Sequence, residues 1–147
     1  MKVERLQQYT PEIATRIREL LIQLSRSGKD RGEIPKEWFD ELINSPFHDI
    51  LVAYDENNNI VGIATLSVTM GPITRKNAYL EDFVTDITVR GQGAGSALWD
   101  AMLEWCAEKG CGNLCFTCGK GREAAQGFYK AHGAEIYETN FFRRQVE

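Results

Sequence analysis

The chain has 147 residues, 43% of them hydrophobic and 26% charged, which is enough to bury one core. Its net charge of −4 comes without clustered Lys and Arg, which excludes backbone-driven nucleic-acid binding and favours a cationic partner such as an amine. No apolar run reaches the length of a membrane span, and the start, Met1-Lys2-Val3-Glu4-Arg5, lacks the apolar core of a signal peptide. The expectation is therefore a single cytoplasmic domain over residues 1–147, with neither nucleic acid nor membrane as a partner.

A first strand is expected around Val3. Thr10-Pro11 supplies a cap and a first-turn proline for a helix whose Ile13, Ile17, Leu20, Leu21 and Leu24 fall on one face. After the polar stretch Ser25-Arg26-Ser27-Gly28 and Pro35, the residues Trp38, Phe39, Leu42 and Ile43 form the apolar side of a second short helix, and the loop before it could line a substrate cleft. Ile50–Tyr54 and Ile60–Val68, joined by Asp55-Glu56-Asn57-Asn58-Asn59, read as a hairpin; a third strand runs from about Ala78 to Thr85. Leu98, Met102, Trp105 and Cys106 repeat at helical spacing up to Gly110 and Gly112. Asn113–Thr117 then reads as a strand, Arg122–Ala131 as a helix stopped by Gly133, and Ala134–Glu138 and Asn140–Arg143 as closing strands. The order is that of a mixed, mostly antiparallel sheet with helices on its faces.

Between the third strand and the helix that follows lies Arg90-Gly91-Gln92-Gly93-Ala94-Gly95. Three glycines on alternate positions at a strand-to-helix junction leave backbone N–H groups uncovered, so a polyoxygen anion can sit on the helix N-terminus, and Arg90 adds a permanently charged fork. The ligand expected from this is a phosphate or pyrophosphate; a turn that merely reverses the chain is the alternative. The dinucleotide fingerprint fails, because counting from Gly91 or Gly93 places Ser96 or Leu98 where its last small residue belongs, and no Gly-Lys-Ser/Thr of a P-loop occurs.

The surviving pattern, R-x-x-G-x-G at Arg90, Gly93 and Gly95, resembles the pyrophosphate signature of the GNAT superfamily of acyl-CoA-dependent N-acetyltransferases. A second landmark, Phe128-Tyr129-Lys130-Ala131-His132-Gly133, is similar to that family's late F-Y-x-x-x-G segment. Leu80-Glu81-Asp82-Phe83-Val84-Thr85-Asp86 looks like a strand of its small-molecule members, glucosamine-phosphate N-acetyltransferases among them. The resemblance spans nearly the whole chain and implies an α/β (α+β mixed) GNAT fold, with about six to seven strands, mostly antiparallel, and about four helices. It implies acetyl-CoA as co-substrate and no metal. The acetyl group would pass to a primary amine of a small molecule, with a homodimer possible through Phe141-Phe142. A non-catalytic acyl-CoA-binding sensor or partner module of the same fold is the alternative.

Acetyl transfer from a thioester needs a neutral amine, a polarised carbonyl and a proton for the leaving thiolate. Glu81 or Asp82, just before the glycine loop, is the candidate base, with Glu81 favoured from the resemblance; strand alternation lets only one of the two face the cleft unless a bulge intervenes. The resemblance makes Tyr129 the general acid, its phenol being protonated at neutral pH. It also makes the backbone of Phe83, Val84 and Thr85 the partner of the pantetheine amides, and Arg90, Gly91, Gln92, Gly93, Ala94, Gly95 and Ser96 the pyrophosphate site. Gln126 stands where many members carry an Asn that contacts the cofactor arm. Arg75, Lys76, Arg143 and Arg144 could serve an anionic acceptor, with surface solvation as the default for each. Cys106, Cys111, Cys115 and Cys118 are crowded, but they fall on a helix, a loop and a strand, so packing is expected in preference to zinc or a redox pair.

Overall fold

The computed structural model describes residues 1–146, in which five strands and four α-helices are laid out in the order β1 (Lys2–Arg5), α1 (Pro11–Leu24), α2 (Lys36–Asn44), β2 (His48–Tyr54), β3 (Ile60–Gly71), β4 (Arg75–Thr85), α3 (Ala94–Lys109), β5 (Leu114–Cys115) and α4 (Glu123–Ala131). One sheet holds all five strands in sequence order; the first three pairings are antiparallel and β4 with β5 is parallel. The chain divides into two compact units, Met1–Phe116 and a shorter one from Thr117 onward.

In the first unit, local chemistry sets the helix ends. Thr10 Oγ1 accepts from the Ile13 N–H at 3.2 Å and Pro11 opens the first turn of α1, as the sequence predicts. Ile17 and Leu20 of α1 and Phe39 of α2 are buried against Ile50, Val52, Ile63 and Val84, which form one face of the sheet. Leu98, Met102, Trp105 and Cys106 of α3 are likewise buried, as their spacing predicts, and the helix stops at Gly110 in left-handed geometry. Gly62 allows the close approach: a Cβ there would lie 3.0 Å from Leu98 Cδ1 and 3.1 Å from the Val84 carbonyl oxygen.

Trp38 does not join the apolar side of α2. It is 63% exposed, whereas Phe39, one residue on, is buried, because adjacent helix residues lie about 100° apart and only one can meet the sheet.

The closing strands expected at Ala134–Glu138 and Asn140–Arg143 are not formed. Residues 134–146 carry no ladder, and Ile136, Tyr137, Phe141 and Phe142 are exposed. Alternation and aromatic content indicate only that a segment fits a pleated surface; a strand also needs a partner. The sheet therefore has five strands among the described residues, not six or seven, and β5 shrinks from the expected Asn113–Thr117 to Leu114–Cys115.

Candidate active site

β4 is the strand on which the site is built. Its register against β3 slips between Thr65 and Leu66: Asp82 faces Thr65 while Leu80 faces Leu66, so Glu81 is an extra residue with no partner across the ladder. This is a β-bulge, and it suspends the alternation that would send neighbouring side chains to opposite faces. Glu81 reaches solvent and Asp82 is half-buried.

Each carboxyl has a raised pKa. Loss of hydration pushes Glu81 up, the adjacent Asp82 adds to the rise, and His48 opposes it. Burial pushes Asp82 up more strongly than the Thr65 hydrogen bond and the Arg31 charge pull it down.

The bulge also divides the outer edge of β4. Upstream, Ala78 and Tyr79 pair with Leu114 and Cys115 of β5; from Leu80 onward no strand among the described residues pairs on that side. Phe83, Val84 and Thr85 thus lie on a stretch where an extended ligand can add itself as a strand.

That edge leads directly into the glycine loop. Gly91 and Gly93 have φ of +77° and +91°, left-handed values that a side chain would strain, and no heavy atom lies within 4 Å of where a Cβ would stand on either. Gly93 is the N-cap of α3 and offers no side-chain acceptor, so the helix N-terminus is left to an incoming anion. Arg90, Gln92 and Ser96 are exposed around it, and Ala94 is buried at the start of the helix.

Sequence reasoning missed what holds this junction in place. Asp86, one residue past β4, is buried; its carboxylate accepts from the Thr88 N–H at 2.9 Å and hydroxyl at 2.8 Å, capping a single 3₁₀ turn over Ile87–Val89, and pairs with the Arg16 guanidinium. These donors pull its pKa down to about 2, the Thr88 N–H and then Arg16 being the largest contributors. Arg16 Nε also donates to the Ile60 carbonyl at 2.8 Å, and the Ile87 N–H donates to Gln23 Oε1 at 2.9 Å. Two residues of α1 therefore grip the turn that presents the glycines. A separation of 70 positions between Arg16 and Asp86 carries no local sequence signal.

In the second unit, Tyr129 lies on α4, half-buried, in edge-to-face contact with Phe128 at 5.8 Å. Burial, then the nearby Cys118, raises its phenol pKa against the opposing Arg122, so it holds its proton at neutral pH. Gln126 is engaged locally: its amide nitrogen donates to the Gly119 and Lys120 carbonyls at 3.1 and 2.9 Å, tying the turn before α4 to the helix. His132 Nδ1 lies 2.8 Å from the Phe128 carbonyl, at the end of the same helix.

The four cysteines are all free. Burial pushes the Cys106 thiol up to about 11, and among the described residues no group of three or more His, Cys, Asp and Glu is arranged to hold a metal. Arg75 and Lys76 stand at the β3–β4 turn, where they line a separate cavity with Met70, Gly71 and Pro72; Arg75 is six residues from Glu81, or about 20 Å along a strand.

Residues 15–134 match the family model described as the acetyltransferase (GNAT) family. The chain belongs to that family. A thialysine N-epsilon-acetyltransferase of Bos taurus is 30% identical over 103 residues, covering 65% of this chain and 61% of that protein, so the match spans about three-fifths of the relative. An aminoglycoside acetyltransferase, meta-AAC0020 from an uncultured soil metagenomic sample, solved in complex with sisomicin, aligns over 99% of this chain and 96% of its own with 25% identity and a TM-score of 0.82. AAC(6')-Iy in complex with the bisubstrate analog CoA-S-monomethyl-acetylneamine shares the fold at 18% identity, with a TM-score of 0.77 over 99% of this chain and 97% of that one.

Proposed function

We propose that this GNAT family member is an acetyl-CoA-dependent N-acetyltransferase acting on a primary amine of a small molecule. The observation that carries the reading is the continuity of three features on one stretch of chain: two carboxyls with raised pKa at a bulge, a strand edge beyond it on which β5 does not pair, and a helix N-terminus with no side-chain cap behind Gly91 and Gly93. The names of the similar proteins agree with it, one acetylating the ε-nitrogen of thialysine and another aminoglycosides.

In this reading the backbone at Phe83, Val84 and Thr85 pairs with the amides of the pantetheine arm and polarises the thioester carbonyl, while Arg90 and the N–H groups from Gly91 to Ser96 hold the pyrophosphate. Glu81 or Asp82 accepts a proton from the incoming ammonium. The freed amine nitrogen bonds to the thioester carbonyl carbon, the carbon–sulfur bond breaks, the departing thiolate takes the proton of a general acid, the role the resemblance gives to Tyr129, and the acetylated nitrogen gives its extra proton to the phenolate that is left. A raised carboxyl pKa brings the base closer to that of its substrate.

Incubating the protein with acetyl-CoA and a broad panel of amines while following free thiol tests this directly. Amine-dependent release is expected; saturable acetyl-CoA binding with no release from any amine or peptide would overturn it. For the acid, Tyr129→Phe is expected to lower kcat by about 10²-fold with little change in acetyl-CoA affinity, and full turnover in that variant removes Tyr129 from the scheme.

A further inference from the structure

α2 carries a stripe that its packing uses only at Leu42, which also meets the core. Trp38, Glu41, Leu42 and Ser45 recur at i, i+3, i+4 and i+7, and together with His48 they line a cavity of about 490 Å³. Trp38 points away from the face that buries Phe39, whereas Leu42 joins the two.

Strand register connects this cavity to the carboxylates. Ile50, Thr65 and Asp82 form one row across β2, β3 and β4, and His48 lies two residues before Ile50, hence on the same face of the sheet. The inner end of the cavity, at His48, is thus set one strand repeat from the row that holds Asp82. Ser45 Oγ lies 2.8 Å from His48 Nδ1, which fixes the imidazole against the end of α2.

At the outer end the chemistry is a carboxylate beside an indole. Lys36 is paired with Asp40 at 2.6 Å, and Glu41 makes no ion pair among the described residues. Trp38 is 63% exposed, so its ring face is available to a cation. From Trp38 to Ser45 is seven residues of helix, or about 10 Å. The cavity therefore has a negative aromatic mouth, apolar Leu42 within it, and at its inner end His48, on the sheet face that carries Asp82 two strands across. A single ammonium could satisfy only one end.

Resting on the acetyltransferase reading above, we propose that the acceptor is a molecule with two cationic nitrogens joined by an apolar spacer: one is acetylated beside Glu81 and Asp82, and the other is held by Glu41 and the face of Trp38. Glu41 and Trp38 are specificity determinants in this scheme and take no part in the proton transfers. Arg31, whose charge is felt at Asp82, stands on the loop before α2; it disfavours a second positive charge at the inner end and leaves the mouth as its place.

The test is kcat/KM at saturating acetyl-CoA for linear α,ω-diamines of increasing length and for monoamines of matching length. Diamines spanning the cavity are expected to exceed their monoamine partners by at least about tenfold, the worth of one partly desolvated charge contact. Glu41→Gln and, separately, Trp38→Leu are expected to lower the diamine-to-monoamine ratio by about tenfold and threefold, mostly through KM. Calorimetric titration of one such diamine into the protein gives a second reading, with the affinity falling in Glu41→Gln by the same factor. Amine-dependent turnover with no preference for diamines, or an unchanged ratio in Glu41→Gln, overturns the two-cation acceptor and leaves the acetyltransferase standing. No turnover of any amine overturns the reading beneath it as well.

Discussion

Asp82 and Asp86 lie four residues apart at the two ends of one short stretch of backbone, yet their surroundings push them in opposite directions. Asp82 loses hydration with only the Thr65 hydroxyl and a more distant Arg31 in return, and its pKa rises. Asp86 is also shielded from solvent but receives the Thr88 N–H and hydroxyl and the Arg16 guanidinium, and its pKa falls to about 2. Burial alone therefore does not decide the sign; the number and charge of the donors do. The first aspartate sits where charge is costly and can be used in chemistry, while the second is spent on holding the glycine loop at the end of its strand.

The comparison breaks most visibly in activity. Replacing Glu81 by Gln and Asp82 by Asn separately is expected to cost about 10²–10⁴-fold in kcat for whichever is the base, with a smaller loss for the other, measured with acetyl-CoA saturating. The acid limb of the kcat/KM profile is expected to lie above the usual carboxylate range and to vanish in the variant that lacks the base; Asp86→Asn should leave that limb where it is.

Next in size is the loop that Asp86 supports. Gly93→Val places a branched side chain at φ +91° and covers the helix N-terminus, so acetyl-CoA affinity, read by calorimetry, should fall about thirtyfold or more, given a strain of about 1–3 kcal/mol and the lost approach.

Asp86 itself should appear in stability. Its folded pKa is depressed below the ordinary 3.8, so its contribution is fully present above that value and is lost as pH falls through about 2. The difference corresponds to about 2 kcal/mol at neutral pH, so Asp86→Asn should lower unfolding free energy by roughly that amount in denaturant titrations. The wild-type protein should lose that margin between pH 4 and pH 2, and the variant should not. The smallest expected effect has the reverse sign. Because the folded-state pKa of Asp82 is raised, its contribution is present below the unfolded value and lost as pH rises through the folded one; Asp82→Asn should slightly raise Tm at pH 7.

Much of this arrangement could be read from the residues alone. The glycine spacing located the helix N-terminus, and the 3.6-residue periodicity of Leu98, Met102 and Trp105 identified the buried side of α3, because both are local signals. The bulge could not be read. Nothing at Glu81 marks an extra residue, since register is set by the whole β3–β4 pairing and no glycine is needed there. The Arg16–Asp86 pair was hidden by its separation along the chain. At α2 the reading went too far in one respect: four large apolar residues suggested one packed side, whereas helix geometry assigns Phe39 to the core and Trp38 to the cavity mouth. The unformed closing strands show the same limit, because pairing partners are not encoded in the segment that needs them.

Gly62 fixes how closely α3 can lie on the sheet, and that has a consequence for how this chain can vary. With Leu98 Cδ1 and the Val84 carbonyl both about 3 Å from a would-be Cβ, any side chain at position 62 forces α3 or β4 to give by a few tenths of an ångström, next to the helix whose first turn is the proposed anion site. A library randomised at this position and selected for acetyl-CoA binding should return glycine alone, whereas one randomised at Gly28, where a Cβ would meet open space, should tolerate the residues that accept its φ of +63°.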